Sequence, residues 1–196
     1  QDSAAKVFPI ILLLIYLVIA FTFRSFSQPL LLIIMVPFAF IGVGWGHYIH
    51  DFPVNILSLL GIIALIGIIV NDGLVFISKF NGFLKEGMHY DEAILLAGSN
   101  RFRAIFLTSV TTIAGLSPLI FESSRQAQFL IPMAISIAYG IGIATVLTLV
   151  MLPMLLSVSN SIKVHGTWLW TGIKPSKEEV ETAILELKSE SDAEGI

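Results

Sequence analysis

Apolar residues in this chain arrive as long blocks, without the strict alternation of a half-buried strand or the one-sided stripe of a surface helix. Stretches free or nearly free of charge cover residues 7–23, 28–50, 54–78, 104–121 and 126–161. A helix crosses the hydrocarbon layer with about 20 apolar residues. The pattern therefore predicts five transmembrane helices, at about 7–24, 29–49, 54–79, 103–121 and 130–157. Pro132 and Pro153 bracket the apolar middle of the last stretch with no turn signal between them, which favours one tilted helix over two short ones. The fold class is all-α integral membrane, a bundle of five spans.

Composition agrees: 56% of the 196 residues are hydrophobic and 13% charged, and the mean hydropathy is +0.89, values of a membrane protein. There is no cysteine, which excludes a disulfide framework and any thiolate metal site. The net charge of -3 decides little; the placement of the cations decides more. Arg24, Lys79, Lys85, Arg101, Arg103, Lys163, Lys174, Lys177 and Lys188 fall on one side of the five spans, and Lys6 and Arg125 on the other. By the positive-inside rule the C-terminus and the loop at 80–101 are cytoplasmic. Residues 1–6 are then an extracytoplasmic stub. The chain opens at Gln1 with no Met and no signal-peptide features, which reads as a piece of something longer.

Within the 80–101 loop, Asp91 and Glu92 followed by apolar residues and Gly98 predict a short amphipathic helix that stops at the glycine. The tail at 161–196 is acidic. Ser176 and Glu179 have capping-box spacing, and Val180, Ile184 and Leu187 repeat at helical intervals, predicting a tail helix near 177–189. Trp168 and Trp170 suit an interfacial anchor.

The residue that carries chemistry is Asp72, the one ionisable side chain between Asp51 and Lys79. A carboxyl at the centre of a span costs about 2.5–3.5 kcal/mol to insert and marks ion or proton paths. Beside it, Gly61, Ala64, Gly67, Asn71 and Ser78 recur at helical steps and form a small, polar stripe that predicts a packed neighbour. Gly42 with Gly46, and Gly140 and Gly142 with Ala144 and Ala138, supply further close-packing pairs. In the fourth span Arg101, Thr108, Thr112 and Gly115 share a face, where hydroxyls either reach across to Asp72's helix or bond back to their own carbonyls. The structural alternative for Asp72 is a protonated carboxyl that only holds helices together. His47, His50 and Asp51 are read as a surface loop. No phosphate loop, H-E-x-x-H or G-x-S-x-G occurs. The expectation is no enzyme, no cofactor and no metal, and no nucleic-acid partner.

The run GIIALIGIIVNDGLV from Gly61, then Glu92-Ala93, RFRAIFLTS from Arg101 and GLSPL from Gly115 resemble the resistance-nodulation-division efflux transporters over about residues 7–160. FRSF from Phe23, with Pro29 and Pro37, is similar to a helix junction of their C-terminal membrane half. The resemblance implies that the five spans are most of one six-helix pseudo-repeat in a twelve-span protein of the bacterial inner membrane. It further implies an N-terminal half and extracytoplasmic domains, a homotrimer, a periplasmic adaptor and an outer-membrane channel. Such proteins export drugs and other amphiphiles against inward proton flow. The site residues it implies are Asp72, Asn71, Arg101 and Thr108. Well-studied drug exporters carry Lys where this chain has Asn71, and Asn where it has Asp72. Charge balance at Asp72 then rests on protonation, on Arg101 or on the other half. Two other readings use the same residues: a lipid or sterol exporter or protein-translocation accessory on this fold, and a non-transporting scaffold or sensor.

Overall fold

The computed structural model describes residues 9–10, 13–14, 16–18, 20–21, 25 and 27–193. The described residues of the first expected span, from Pro9 to Phe21, are helical; the rest of that span and the stub at 1–6 lie outside the described residues. Five further helices follow: α1 (Ser27–His50), α2 (Ile56–Lys85), α3 (Tyr90–Ile120), α4 (Arg125–Thr171) and α5 (Thr182–Ala193). The first four are long and apolar enough to cross a membrane.

The helix ends have local causes. After His50, Asp51 takes a left-handed φ of 53°. Phe52 N–H then reaches the His47 carbonyl at 3.1 Å, which closes α1 in a Schellman turn. Asn55 starts α2 by accepting the N–H groups of Leu57 and Ser58, each at 3.0 Å. Gly87, with φ 84°, ends α2 in the same way as Asp51 ends α1: Met88 N–H reaches the Phe83 carbonyl at 3.1 Å. Ser124 caps α4 through Ala127 N–H at 3.3 Å, and Gly172, with φ 72°, stops it.

Two elements differ from their expected bounds. The helix expected to stop at Gly98 instead continues, so that α3 runs 31 residues from Tyr90 to Ile120. A single glycine costs a helix interior only about 1 kcal/mol, and no proline follows until Pro118. The last span is one helix, through both Pro132 and Pro153, but it runs 47 residues. That is about 70 Å of helix against about 30 Å of hydrocarbon, so much of α4 stands outside the membrane core.

The chain divides into two units, Gln1–Ile33 with Leu74–Gly98 and Pro153–Ile196, and Ile34–Gly73 with Ser99–Leu152. In the second unit α1 and α4 approach through glycine. A Cβ on Gly42 would collide with the Tyr139 carbonyl, and one on Gly46 would stand 2.6 Å from the Tyr139 ring. Gly61 of α2 meets the Met133 carbonyl similarly, at 2.7 Å, and Gly140 meets the Leu65 side chain. These differ in what can yield. Gly42→Ala is expected to cost about 1–3 kcal/mol, because a helix carbonyl cannot turn aside; Gly140→Ala costs less, since a leucine terminus can rotate. Unfolding of the two variants in mixed micelles orders them.

In the first unit the tail is fastened. Glu181 is buried and accepts from Asn160 Nδ2 at 2.7 Å and Lys163 Nζ at 3.0 Å. Asn160 Nδ2 also reaches the Lys177 carbonyl at 2.7 Å. Lys177 pairs with Asp91 at 2.7 Å, Lys85 with Glu186 at 3.0 Å, and Thr182 Oγ1 donates to Ser25 Oγ at 3.2 Å. The capping box forms, Glu179 Oε2 accepting from Ser176 N–H at 3.0 Å, but it encloses a turn and the helix begins later, at Thr182. Gln28 and Asn81 exchange two amide bonds, at 3.0 and 3.2 Å.

Glu178 caps α3 from a distance, accepting Tyr90 N–H at 2.9 Å. That bond above all holds its carboxyl below the ordinary glutamate range. A lowered folded value contributes stability above the unfolded value and loses it as pH falls through the folded one. Hydrogen exchange in α5 is therefore expected to accelerate, beyond the intrinsic pH effect, once pH drops below the usual glutamate range.

Candidate functional site

Asp72 lies in the middle of α2, with 16 residues before it and 13 after, so that about 20 Å of helix or more separates it from either end. It is half-buried, between exposed Asn71 and buried Gly73. Buried Ile69 and Val70 precede it. Among the described residues Asp72 has no hydrogen-bond or ion-pair partner, and neither Arg101 nor Thr108 is joined to it.

The stripe expected to be packed is packed at one end only. Gly61 is closed in by α4, whereas Ala64, Gly67, Asn71 and Ser78 are exposed, and a Cβ on Gly67 would meet nothing within 4 Å. Between Ala64 and Asn71 the small, polar face of α2 is thus open among the described residues.

On α3 the hydroxyls divide. Thr108, Thr111 and Thr112 donate to Ala104, Leu107 and Thr108 carbonyls at 2.9, 2.8 and 2.8 Å, so they bond back to their own helix. Ser109 faces inward and bonds across to Thr145 of α4. Arg101 is half-buried; its Nε is fully enclosed and has no hydrogen-bond partner. A guanidinium N–H left so is expensive, which makes Arg101 a group in need of an acceptor. Only 11% of α3's most apolar window is buried against 50% for α1, so α3 is the least covered of the four long helices.

The histidines are where the sequence reading needs correcting. They form no exposed loop: both belong to the last turn of α1, and His47 is 5% exposed. His47 Nδ1 lies 3.0 Å from the Phe52 carbonyl and its Nε2 3.0 Å from Ser136 Oγ. His50 Nε2 lies 3.0 Å from Tyr139 Oη. The signal that was available is the Gly42, Gly46 spacing, which continues at the same step to His50 and turns this part of the helix toward α4.

Comparison with known proteins adds the family. The sequence model of the AcrB/AcrD/AcrF family matches residues 1–159. The swarming motility protein SwrC of Bacillus subtilis is 31% identical over 146 residues, 74% of this chain and 14% of that protein. The cobalt-zinc-cadmium resistance protein CzcA of Cupriavidus metallidurans is 30% identical over 154 residues, 79% of this chain and 14% of that protein. A crystal structure of a heavy metal efflux pump superposes with a TM-score of 0.72 at 27% identity, over 80% of this chain and 15% of that one. The chain thus spans about one seventh of the length of the relatives it matches.

Proposed function

The chain belongs to the AcrB/AcrD/AcrF family of resistance-nodulation-division transporters, and on that premise we propose that it forms part of the membrane domain of a proton-driven secondary active exporter. The observation that carries the reading is the open face of α2. A carboxyl without a partner, bordering exposed Asn71, Gly67 and Ala64, is costly against lipid and is relieved when protein or enclosed water covers it. The rest of the transporter, its N-terminal half, is the cover we assign. The enclosed, unpartnered Nε of Arg101 supports the same arrangement from α3.

Asp72 then binds the coupling proton from the external side and releases it to the cytoplasm, and Asn71 orients the carboxyl or holds water. Arg101 supplies positive charge in place of the lysine that drug exporters carry at the position of Asn71. Thr108, whose hydroxyl is committed to its own helix, contributes a small polar surface. The distribution of Lys and Arg supports a cytoplasmic C-terminus and an external turn between α1 and α2, and the family supports a bacterial inner membrane. Extracytoplasmic domains, a homotrimer, a periplasmic adaptor and an outer-membrane channel complete the assembly.

Drugs and other amphiphiles are the first cargo class. Divalent metal cations are the second, favoured by the likeness to the cobalt-zinc-cadmium resistance protein and to the heavy metal efflux pump. The complete protein in liposomes under an imposed pH gradient tests both, with a panel of cationic drugs and zinc. Cargo-dependent proton counterflow is expected; a folded, assembled protein that moves neither protons nor cargo is a scaffold.

A further inference from the structure

His47 and its neighbours make three contacts that each need a hydrogen, and a neutral ring with the serine supplies two. Its Nδ1 faces the Phe52 carbonyl at 3.0 Å, and a carbonyl can only accept, so a hydrogen bond there needs the hydrogen on Nδ1. Its Nε2 faces Ser136 Oγ at 3.0 Å, and that same oxygen lies 3.0 Å from the Pro132 carbonyl. The hydroxyl has one proton for two acceptors. If the ring is neutral with its hydrogen on Nδ1, Ser136 donates either to Nε2 or to Pro132 and one of those contacts has no hydrogen in it; with the hydrogen on Nε2, the Phe52 contact has none. If the ring takes a second proton, every contact is matched: Nδ1–H to Phe52, Nε2–H to Ser136 Oγ, and Oγ–H to Pro132.

We propose that His47 is a proton-binding site of this protein, separate from Asp72, whose protonation switches the Ser136 hydroxyl from the imidazole of α1 to the Pro132 carbonyl of α4. The surroundings make the site specific for a proton. Gly61 of α2 closes over Ser136, a Cβ there standing 2.9 Å from the serine Cβ, so no larger ligand fits. The titratable groups around it are few. Its own helix and the turn after it supply Tyr48, His50 and Asp51, the turn after α3 supplies Glu122, and α4 supplies Arg125 at its start and Tyr139, bonded to His50 at 3.0 Å. Neither the part of α2 from Ile56 to Asn71 nor the part of α3 from Ala104 to Phe121 has an ionisable side chain. His50, three residues and nearly one turn further along α1, lines with Ser117, Phe121 and Tyr139 a cavity of about 310 Å³.

The consequence is mechanical. α1 and α4 already touch at Gly42 and Gly46, and a charge-assisted N–H···O bond at the next turn tightens that contact. The orientation proposed above puts this end of α1 at the external face, where an exporter driven by protons meets its acid side; only this clause depends on the proposed function.

Ring-nitrogen NMR of ¹⁵N-histidine in the complete transporter, in bilayers, decides the matter, with the His47 signals identified by their loss in His47→Asn. On acidification the His47 ring is expected to pass from the neutral Nδ1–H tautomer to the doubly protonated form. Ser136→Ala, which removes a hydroxyl without adding bulk, should weaken proton binding at the ring about tenfold. A ring that holds one charge state throughout, a neutral Nε2–H tautomer, or a Ser136→Ala protein that titrates like the wild type would overturn the proposal. Because the readout is the ring itself, it stands or falls whether or not the protein proves to be a proton-driven exporter.

Discussion

Asp72→Asn in the complete transporter is expected to abolish proton-driven export, by about two orders of magnitude or more, the range over which positioned proton-transfer groups act, while membrane insertion stays intact. The substitution keeps the volume and leaves an amide that can hydrogen-bond, so packing around Val70 and Gly73 is preserved. What it removes is the ability to bind and release a proton in the middle of α2, where about 20 Å of helix lies on either side. Insertion becomes easier, because a neutral amide costs the bilayer less than a carboxylate. Asn71→Ala is the matched control: it alters a neighbour on the exposed side and should lower transport only several-fold. Equal loss in both would mean that the open face of α2 serves packing, with no special place for the carboxyl.

The second large effect is at the tail. Glu181→Ala is expected to release residues 173–193 from the helix ends they dock on. Removing the carboxylate leaves Asn160 Nδ2 with one acceptor in place of two and Lys163 without its counter-charge. Breaking a buried pair by deleting one member costs about 3–5 kcal/mol. Lys163 retains some access to water, its side chain being 24% exposed, so about 2–3 kcal/mol is the better figure. Against that loss, the exposed pair of Lys177 with Asp91 offers little, since each exposed pair is worth about 1 kcal/mol or less. Limited trypsin digestion at Lys177 and Lys188 should become rapid in Glu181→Ala and intermediate in Glu181→Gln, which keeps the acceptor for Asn160 but not the counter-charge of Lys163.

What could be read from the sequence follows from how directly physics writes each feature into it. The bilayer demands long apolar runs, so the long helices of residues 27–171 were legible, and so was the singular status of Asp72. The side-chain caps at Asn55 and Ser124 were not among the expected helix ends, and a glycine only hints at one. Gly98 looks like a stop, but a glycine stops a helix only when the chain beyond it takes a left-handed turn, as at Gly87 and Gly172. Of the candidate site, sequence identified Asp72, Asn71, Arg101 and Thr108 as types and helical positions; it could not say that Thr108 spends its hydroxyl on Ala104 or that Arg101 Nε is enclosed.

Long-range polar contacts were not legible at all. The Glu181, Asn160 and Lys163 cluster has no spacing rule, and all three residues lie beyond the 1–159 stretch that the family shares. His47 was misplaced because a histidine near the end of an apolar run looks alike whether it faces outward or inward. The Gly42, Gly46 step points to His50, while the partner of His47 lies on α4, 89 residues later.

The most direct test is the protonation of Asp72 itself, in the complete transporter reconstituted in liposomes. Infrared difference spectra recorded as the external side is acidified should gain a protonated-carboxyl C=O band that is lost on return to neutral pH and missing in Asp72→Asn. A band that persists in Asp72→Asn, or no such band in a wild-type protein that is exporting cargo, would contradict the assignment of Asp72 as the residue that carries the coupling proton.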